Sequence, residues 1–212
     1  ARAEVRDALI SKQGYTLENL PPGAVVGTSS LRRAAQVLSA RPDLTITSLR
    51  GNVNTRLRKA MEGEYDAVIL AGAGLTRLGL EAAITQWLPL EVMLPAPGQG
   101  ALAVQCRSAD QATLALLAAL EDPATRAAVT AERQFLLGLG GGCAVPVAAF
   151  GMQCDQPAAI RLNGLVASTD GKRVIRVAGV GTDPVELGSR LAQEAIAQGA
   201  HELIAQNPES QR

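Results

Sequence analysis

Between residues 24 and 77 the chain alternates three short apolar runs with three stretches of helical character, and this rhythm constrains the fold more than any other feature. Ala24-Val25-Val26 reads as a strand, Gly27-Thr28-Ser29-Ser30 as a turn and helix cap, and Leu31 to Ala40 as a helix. Arg41-Pro42-Asp43 closes that helix, because proline biases the residue before it away from the α region. The second unit runs from a strand over Leu44 to Ser48, through the junction Leu49-Arg50-Gly51-Asn52, into a helix from Val53 to Met61. The third places a strand at Ala67 to Leu70 before a small-residue turn, Ala71-Gly72-Ala73-Gly74, and a short helix through Arg77. Strand and helix alternating at this spacing predict βαβ crossovers and a parallel-rich sheet.

Trp87 to Gly100 breaks the rhythm with Pro89, Pro95 and Pro97 followed by Gly98 and Gly100, which reads as a hinge or domain crossing. An apolar run Ala101 to Cys106 follows, then a helix from Gln111 to Leu120 and another from Pro123, at its first position, to about Leu137. Gly138, Gly140, Gly141 and Gly142 form a loop ending at Cys143. Three strand-like runs, Val145 to Phe150, Ile160 to Ser168 and Val174 to Val180, precede a helix from Pro184 to Gln198 stopped by Gly199. The expected fold class is therefore α/β: a parallel-rich βαβ domain followed by a small α+β domain with a three-stranded sheet. The divisions are residues 1–94, a crossing segment 95–121, and residues 122–212.

The chain's 20 basic and 20 acidic side chains cancel, which argues against a nucleic-acid binder. The average conceals a local excess. Between Ser30 and Ala60 seven cations face the single acid Asp43, a net charge of +6. Seventeen of the 20 cations are arginine, a bias that suits forked recognition of carboxylate or phosphate, though genome base composition gives the same bias. Aromatic residues at 2% leave little for bases to stack on.

No apolar stretch reaches the ~20 residues of a membrane helix. The start, Ala-Arg-Ala-Glu-Val-Arg-Asp, has no apolar segment of a secretory signal, and the absence of Met there points to processing or to a fragment. Cys106, Cys143 and Cys154 match neither a disulfide framework nor a zinc site, so no metal is expected and the reading is cytoplasmic. His201 reads as a solvated residue near a helix start.

Gly27-Thr28-Ser29-Ser30-Leu31-Arg32-Arg33 is the strongest local signal. At a strand-to-helix junction the free N–H groups of the first helical turn, the hydroxyls and two guanidinium groups converge on an anion. Arg50-Gly51-Asn52, with Arg56 one turn into its helix, repeats the device, and Arg77 after the third strand joins it. In an open parallel sheet ligands bind at the carboxyl ends of strands, where these junctions lie. For a single junction, plain helix capping with solvated arginines is the better reading; two junctions with five arginines reverse it. Neither is a phosphate loop of the familiar kinds, and carboxylate ligands fit at least as well as phosphate.

Cys143 stands between a glycine run and a strand, where glycines leave room for a bulky group to approach and keep a thiol accessible for covalent attachment. A buried small hydrophobe after a loop is the competing reading. Cys106 and Cys154 lack such a setting and read as structural.

Taken in order, Gly27-Thr-Ser-Ser-Leu-Arg-Arg33, Leu49-Arg-Gly-Asn-Val53 with Thr55-Arg56-Leu57, Ala73-Gly-Leu75 with Arg77-Leu-Gly-Leu80, Leu94-Pro95 with Gly98-Gln-Gly100, and Gly141-Gly-Cys-Ala-Val-Pro146 resemble the porphobilinogen deaminase (hydroxymethylbilane synthase) family. The resemblance covers essentially the whole chain and corresponds to the second and third of that family's three domains, so that the βαβ domain of residues 1–94 is expected to be periplasmic-binding-protein-like. It implies a monomeric transferase of tetrapyrrole and heme biosynthesis that condenses four porphobilinogen molecules head to tail with release of ammonia. It implies a dipyrromethane cofactor held by a thioether to Cys143. Arg32, Arg33, Arg50, Arg56 and Arg77 would bind the carboxylates of cofactor, substrate and oligopyrrole intermediates, with Thr28, Ser29, Ser30, Gly51, Asn52 and Gln99 supplying further contacts.

By the same resemblance, the catalytic aspartate belongs to a first domain with no counterpart here, so none of Asp43, Asp66 and Glu132 takes its place; they read as surface or helix-associated charges. The 212-residue chain is accordingly expected to be inactive alone, with its own missing first domain as a partner, and neither nucleic acid nor membrane as one. The alternatives are a small-carboxylate binding module, which leaves Cys143 unexplained, and an inactive remnant.

Overall fold

The computed structural model describes residues 1–140, 145–154, 156 and 158–205. Two sheets organise it. The first has five strands in the order β3-β2-β4-β1-β5, where β1 is Asp7–Ile10, β2 Val25–Gly27, β3 Thr45–Thr47, β4 Ala67–Ala71 and β5 Gln86–Trp87. Strand β2 runs parallel to both β3 and β4, as the spacing requires, with helices α1 (Leu31–Ala40) and α2 (Val53–Glu62) in the crossovers. Strand β1, which sequence periodicity does not reveal, lies antiparallel between β4 and β5. All four of its residues are buried, so it shows no alternation of polar and apolar positions.

The two faces of this sheet are covered by different helices. Leu9, Val26, Ala67 and Ile69 pack with Val37 of α1, while Ala8, Ile10, Val68 and Leu70 pack with Ala60 of α2 and Leu75 of α3 (Gly72–Arg77). The small-residue turn expected at residues 71–74 is instead the first turn of α3, directly after β4. Gly72 makes this possible: a Cβ there would lie 2.2 Å from the Trp87 ring and 2.8 Å from the Arg6 carbonyl oxygen.

From residue 88 to 110 the chain forms turns but no helix or strand, and the apolar run at 101–106 pairs with no strand. Helix α4 (Gln111–Ala118) has no buried residue, and Leu102, Val104, Leu116 and Leu120 are exposed by between 66% and 82%. Helix α5 (Pro123–Gly138) then leads to the second sheet, β6-β7-β8, formed by Val147–Gln153, Ile160–Ala167 and Val174–Gly181 in antiparallel register. One face packs on α5, α6 (Pro184–Ala197) and α7 (Ala200–Ala205) around Phe135, Leu162 and Leu191. Gly164 is required beneath the Phe135 ring, which a Cβ would approach to 2.5 Å.

The other face joins the two halves. Ala148, Phe150, Leu165 and Ala167 pack with Ala35 of α1 and Leu94, and the Ala149 N–H donates to the Pro95 carbonyl at 3.1 Å. Among the described residues no helix is long and apolar enough to cross a membrane. His201 is exposed in α7.

Candidate anion-binding site

Strands β2, β3 and β4 are neighbours, so the junctions that follow them open at one edge of the sheet. Ser30 caps α1, its hydroxyl accepting from the Arg33 N–H, and Asn52 caps α2, its side-chain oxygen accepting from the Thr55 N–H at 2.9 Å. Thr28 supports the first cap by accepting from the Ser30 N–H at 3.2 Å. Gly51 has φ +121°, a conformation that favours glycine, and its carbonyl accepts from Arg56 Nε at 2.8 Å.

Ser29 stitches the junctions together. Its hydroxyl donates to the Leu49 carbonyl at 2.8 Å, accepts from the Leu49 N–H at 3.0 Å and lies 3.0 Å from the Ser48 hydroxyl. Tyr65 supports both from beneath: its ring packs under Gly27, where a Cβ would approach to 2.7 Å, and its hydroxyl donates to the Ser48 carbonyl at 3.0 Å. Tyr65 is a positioning residue that the sequence pattern did not reveal.

The five arginines fall into two groups. Arg50 and Arg77 are exposed and, like Arg56, have no acidic partner among the described residues. Most other described cations do, as in Arg41–Asp43, Arg58–Glu62 and Arg126–Glu121. Arg32 and Arg33 are instead buried, and the anion on which they converge is Asp7, at the head of β1 opposite Ala71. Arg32 Nη1 donates to Asp7 Oδ2 at 2.7 Å, and Arg33 Nη2 and Nε donate to Oδ1 at 2.8 and 3.1 Å. Further donors go to the carbonyls of Leu94 and Ile69. Burial by itself raises the Asp7 pKa, but the two guanidinium charges prevail and hold it below the usual carboxylate value. Burial pushes Arg32 down.

Gln99 reaches this cluster, donating to Asp7 Oδ1 at 3.0 Å and to the Val5 carbonyl at 2.7 Å. From there the polar contacts continue into the second half. Arg2 donates to the Gln99 carbonyl and pairs through both terminal nitrogens with Glu132, at 2.6 and 3.0 Å. Glu132 is fully buried on α5 and also accepts from the N–H groups of Gly98 at 2.6 Å and Gly151 at 2.7 Å. It is helix-associated, one of the two readings the sequence offers, but it is buried instead of at the surface. Its partners lie up to 130 residues away, beyond the reach of a local pattern. Asp66 likewise is half-buried and accepts from the Val25 N–H at 2.7 Å, whereas Asp43 is exposed.

Cys143 lies outside the described residues, as do Gly141, Gly142 and Ala144. Helix α5 precedes those residues and β6 follows them, and Glu132 ties one element to the other. Cys106 and Cys154 are half-buried free thiols.

Fold and site together define an α/β protein that presents two capped helix N-termini at one edge of a sheet, with Arg50 and Arg56 at the second of them and Arg77 at the end of α3, all three without acidic partners among the described residues. Comparison with known sequences gives this class a family. Residues 1–115 match the profile described as porphobilinogen deaminase, dipyromethane cofactor binding domain, and residues 126–197 match the porphobilinogen deaminase C-terminal domain. The chain belongs to the porphobilinogen deaminase family. It is 52% identical to the porphobilinogen deaminase of Brevibacillus brevis over 205 residues, covering 97% of this chain and 66% of that protein. Identity to the porphobilinogen deaminase of Roseiflexus castenholzii is also 52%, covering 96% and 67%, and to that of Bacillus cereus AH187 50%, covering 99% and 68%. The chain thus spans about two thirds of the length of the curated relatives it matches.

The dipyrromethane cofactor of the family carries acetate and propionate groups. The donor set fits it: Arg50 and Arg56 stand at a capped helix N-terminus and have no acidic partner among the described residues, and carboxylates are the groups such donors hold.

Proposed function

We propose that this chain is the cofactor-holding and carboxylate-gripping part of a transferase that joins four porphobilinogen molecules into hydroxymethylbilane, releasing ammonia at each step. The observation that carries this reading is that Arg50 and Arg56, at the junction and first turn of α2, and Arg77, at the end of α3, have no acidic partner among the described residues, while two capped helix N-termini open at the same end of the strands. Family membership supports the same reading.

In this reading each exposed arginine takes a carboxylate of a pyrrole ring through paired N–H donors, which fixes ring orientation as well as charge. Several arginines together offset the mutual repulsion of the carboxylates along a growing chain. Free N–H groups at the start of α1 and α2 add donors, with Ser30 and Asn52 holding those turns in shape. Thr28, Ser29 and Gly51 fix the backbone of the two junctions, and Arg32 and Arg33 contribute one net positive charge behind them. When bound through a thioether at Cys143, the dipyrromethane supplies an anchored pyrrole pair from which the product grows. In the proposed division, residues 1–94 grip carboxylates, 95–121 cross between domains and 122–212 carry Cys143.

The exposed leucines of the crossing segment and α4 support the view that a further segment packs there, corresponding to the remaining third of the relatives' length. None of the three carboxylates weighed in the sequence is available for proton handling in the cleft, for Glu132 and Asp66 are engaged by N–H donors and Asp43 pairs with Arg41. The 212 residues alone are therefore expected to form no bilane. The test is a colour assay for bilane with the purified chain, alone and co-expressed with the first third of a relative. Activity only in the second case, lost in Cys143→Ala, is the expected result. Activity of the chain alone overturns the dependence on a further segment, and activity that survives Cys143→Ala overturns the proposed role of that thiol.

A further inference from the structure

Arg32, Arg33 and Asp7 bring two cations and one anion together where no member is more than 8% exposed. The Leu94 and Ile69 carbonyls absorb donors but carry no net charge. A buried net charge of +1 remains. A buried positive charge is costly unless an anion meets it, and each added charge near an anion site changes its affinity in a direction set by sign alone.

We infer that Asp7 is the internal counter-ion of the Arg32–Arg33 pair, and that by holding the cluster at one net positive charge it restrains the affinity of the adjoining site for polycarboxylates. The inference rests on the carboxylate-binding reading of that site. Position supports it: Asp7 begins β1 opposite Ala71, the last residue of β4, so its carboxylate lies at the sheet edge where the junctions open. Geometry supports it too. Both carboxylate oxygens are engaged, one by Arg32 and the other by Arg33 and the neutral amide of Gln99, so the charge of Asp7 is committed to the pair. A site that holds a ligand which lengthens and must shift along it functions better with a moderate grip than a maximal one. Asp7 removes one unit of attraction without removing an arginine.

A purely structural anchor and a counter-ion make opposite predictions for Asp7→Asn. Loss of an anchor disorders the arginines and weakens anion binding. Loss of a counter-ion raises the cluster to +2 and strengthens it. The experiment is calorimetric titration of the full 212-residue chain with citrate at fixed ionic strength and pH 7. Asp7→Asn is expected to bind about tenfold more tightly than the unsubstituted chain. The double variant Asp7→Asn/Arg32→Gln, returned to +1, is expected to fall back to the unsubstituted affinity. Equal or weaker binding by Asp7→Asn overturns the inference alone. No citrate binding by the unsubstituted chain overturns the carboxylate-binding reading and the inference with it. Should Asp7→Asn unfold without anion, its thermal transition is read against citrate concentration. A rise steeper than that of the unsubstituted chain supports the counter-ion role, and indifference to citrate overturns it.

Discussion

Asp7 is the residue on which the local chemistry turns. A carboxylate buried without partners would be held neutral, yet two guanidinium groups within hydrogen-bond distance keep this one ionised. Its folded-state pKa lies below the value of about 3.9 that the unfolded chain has. The stability it contributes is therefore fully present above about pH 4 and is lost as pH falls through the folded value. Asp7→Asn leaves two buried cations without their anion and is expected to cost about 3–5 kcal/mol at pH 7. Urea unfolding between pH 2 and 7 checks this: the difference between the two proteins should shrink as acid protonates Asp7, and a difference constant across that range would contradict it. Nothing local announces the contact, since 25 residues separate Asp7 from Arg32. The sequence makes it plain that the arginines converge on an anion, but not that the protein supplies one.

At the scale of elements, the two junctions were legible because their chemistry is local. Ser30 and Asn52 each accept from the N–H three positions on, Pro42 follows the end of α1, and Gly51 takes the positive φ its turn needs. Strand β1 was not legible, for four buried residues in an antiparallel slot lack the period that marks a half-buried strand. The start of α3 was misread because glycine and alanine are turn formers in sequence, while here the ring of Trp87 requires Gly72. The resemblance places Ser29 among the ligand contacts, and the sequence does not show that its hydroxyl also stitches the two junctions together. Ser29→Ala removes the partner of both backbone groups of Leu49, a residue 1% exposed. It should cost about 1–3 kcal/mol, seen as a fall of several degrees in Tm, and an unchanged Tm would show that water replaces the hydroxyl.

The whole molecule is held together by a buried ion pair as well as by apolar packing. Glu132 receives Arg2 from the chain start, Gly98 from the crossing segment and Gly151 from the second sheet, so one carboxylate joins three regions. Its replacement by alanine leaves Arg2 and two N–H groups without their acceptor, at a cost of about 3–5 kcal/mol. Because the bonds to Arg2 and Gly98 lie between the halves, while only that to Gly151 lies within the second, urea unfolding of Glu132→Ala should separate into two transitions, with the five-stranded and three-stranded sheets melting apart. A single transition at the original midpoint would contradict this.

The central claim is that the arginines at the sheet edge and Cys143 serve one pyrrole cofactor. Intact mass and peptide mapping test it most directly, on the chain co-expressed with the first third of a relative in cells that make porphobilinogen. The expected result is a population heavier by two pyrrole units, mapped to the peptide carrying Cys143, and diminished when Arg50 and Arg77 are both replaced by glutamine. A uniformly unmodified protein, or an adduct mapped to Cys106 or Cys154, would contradict it.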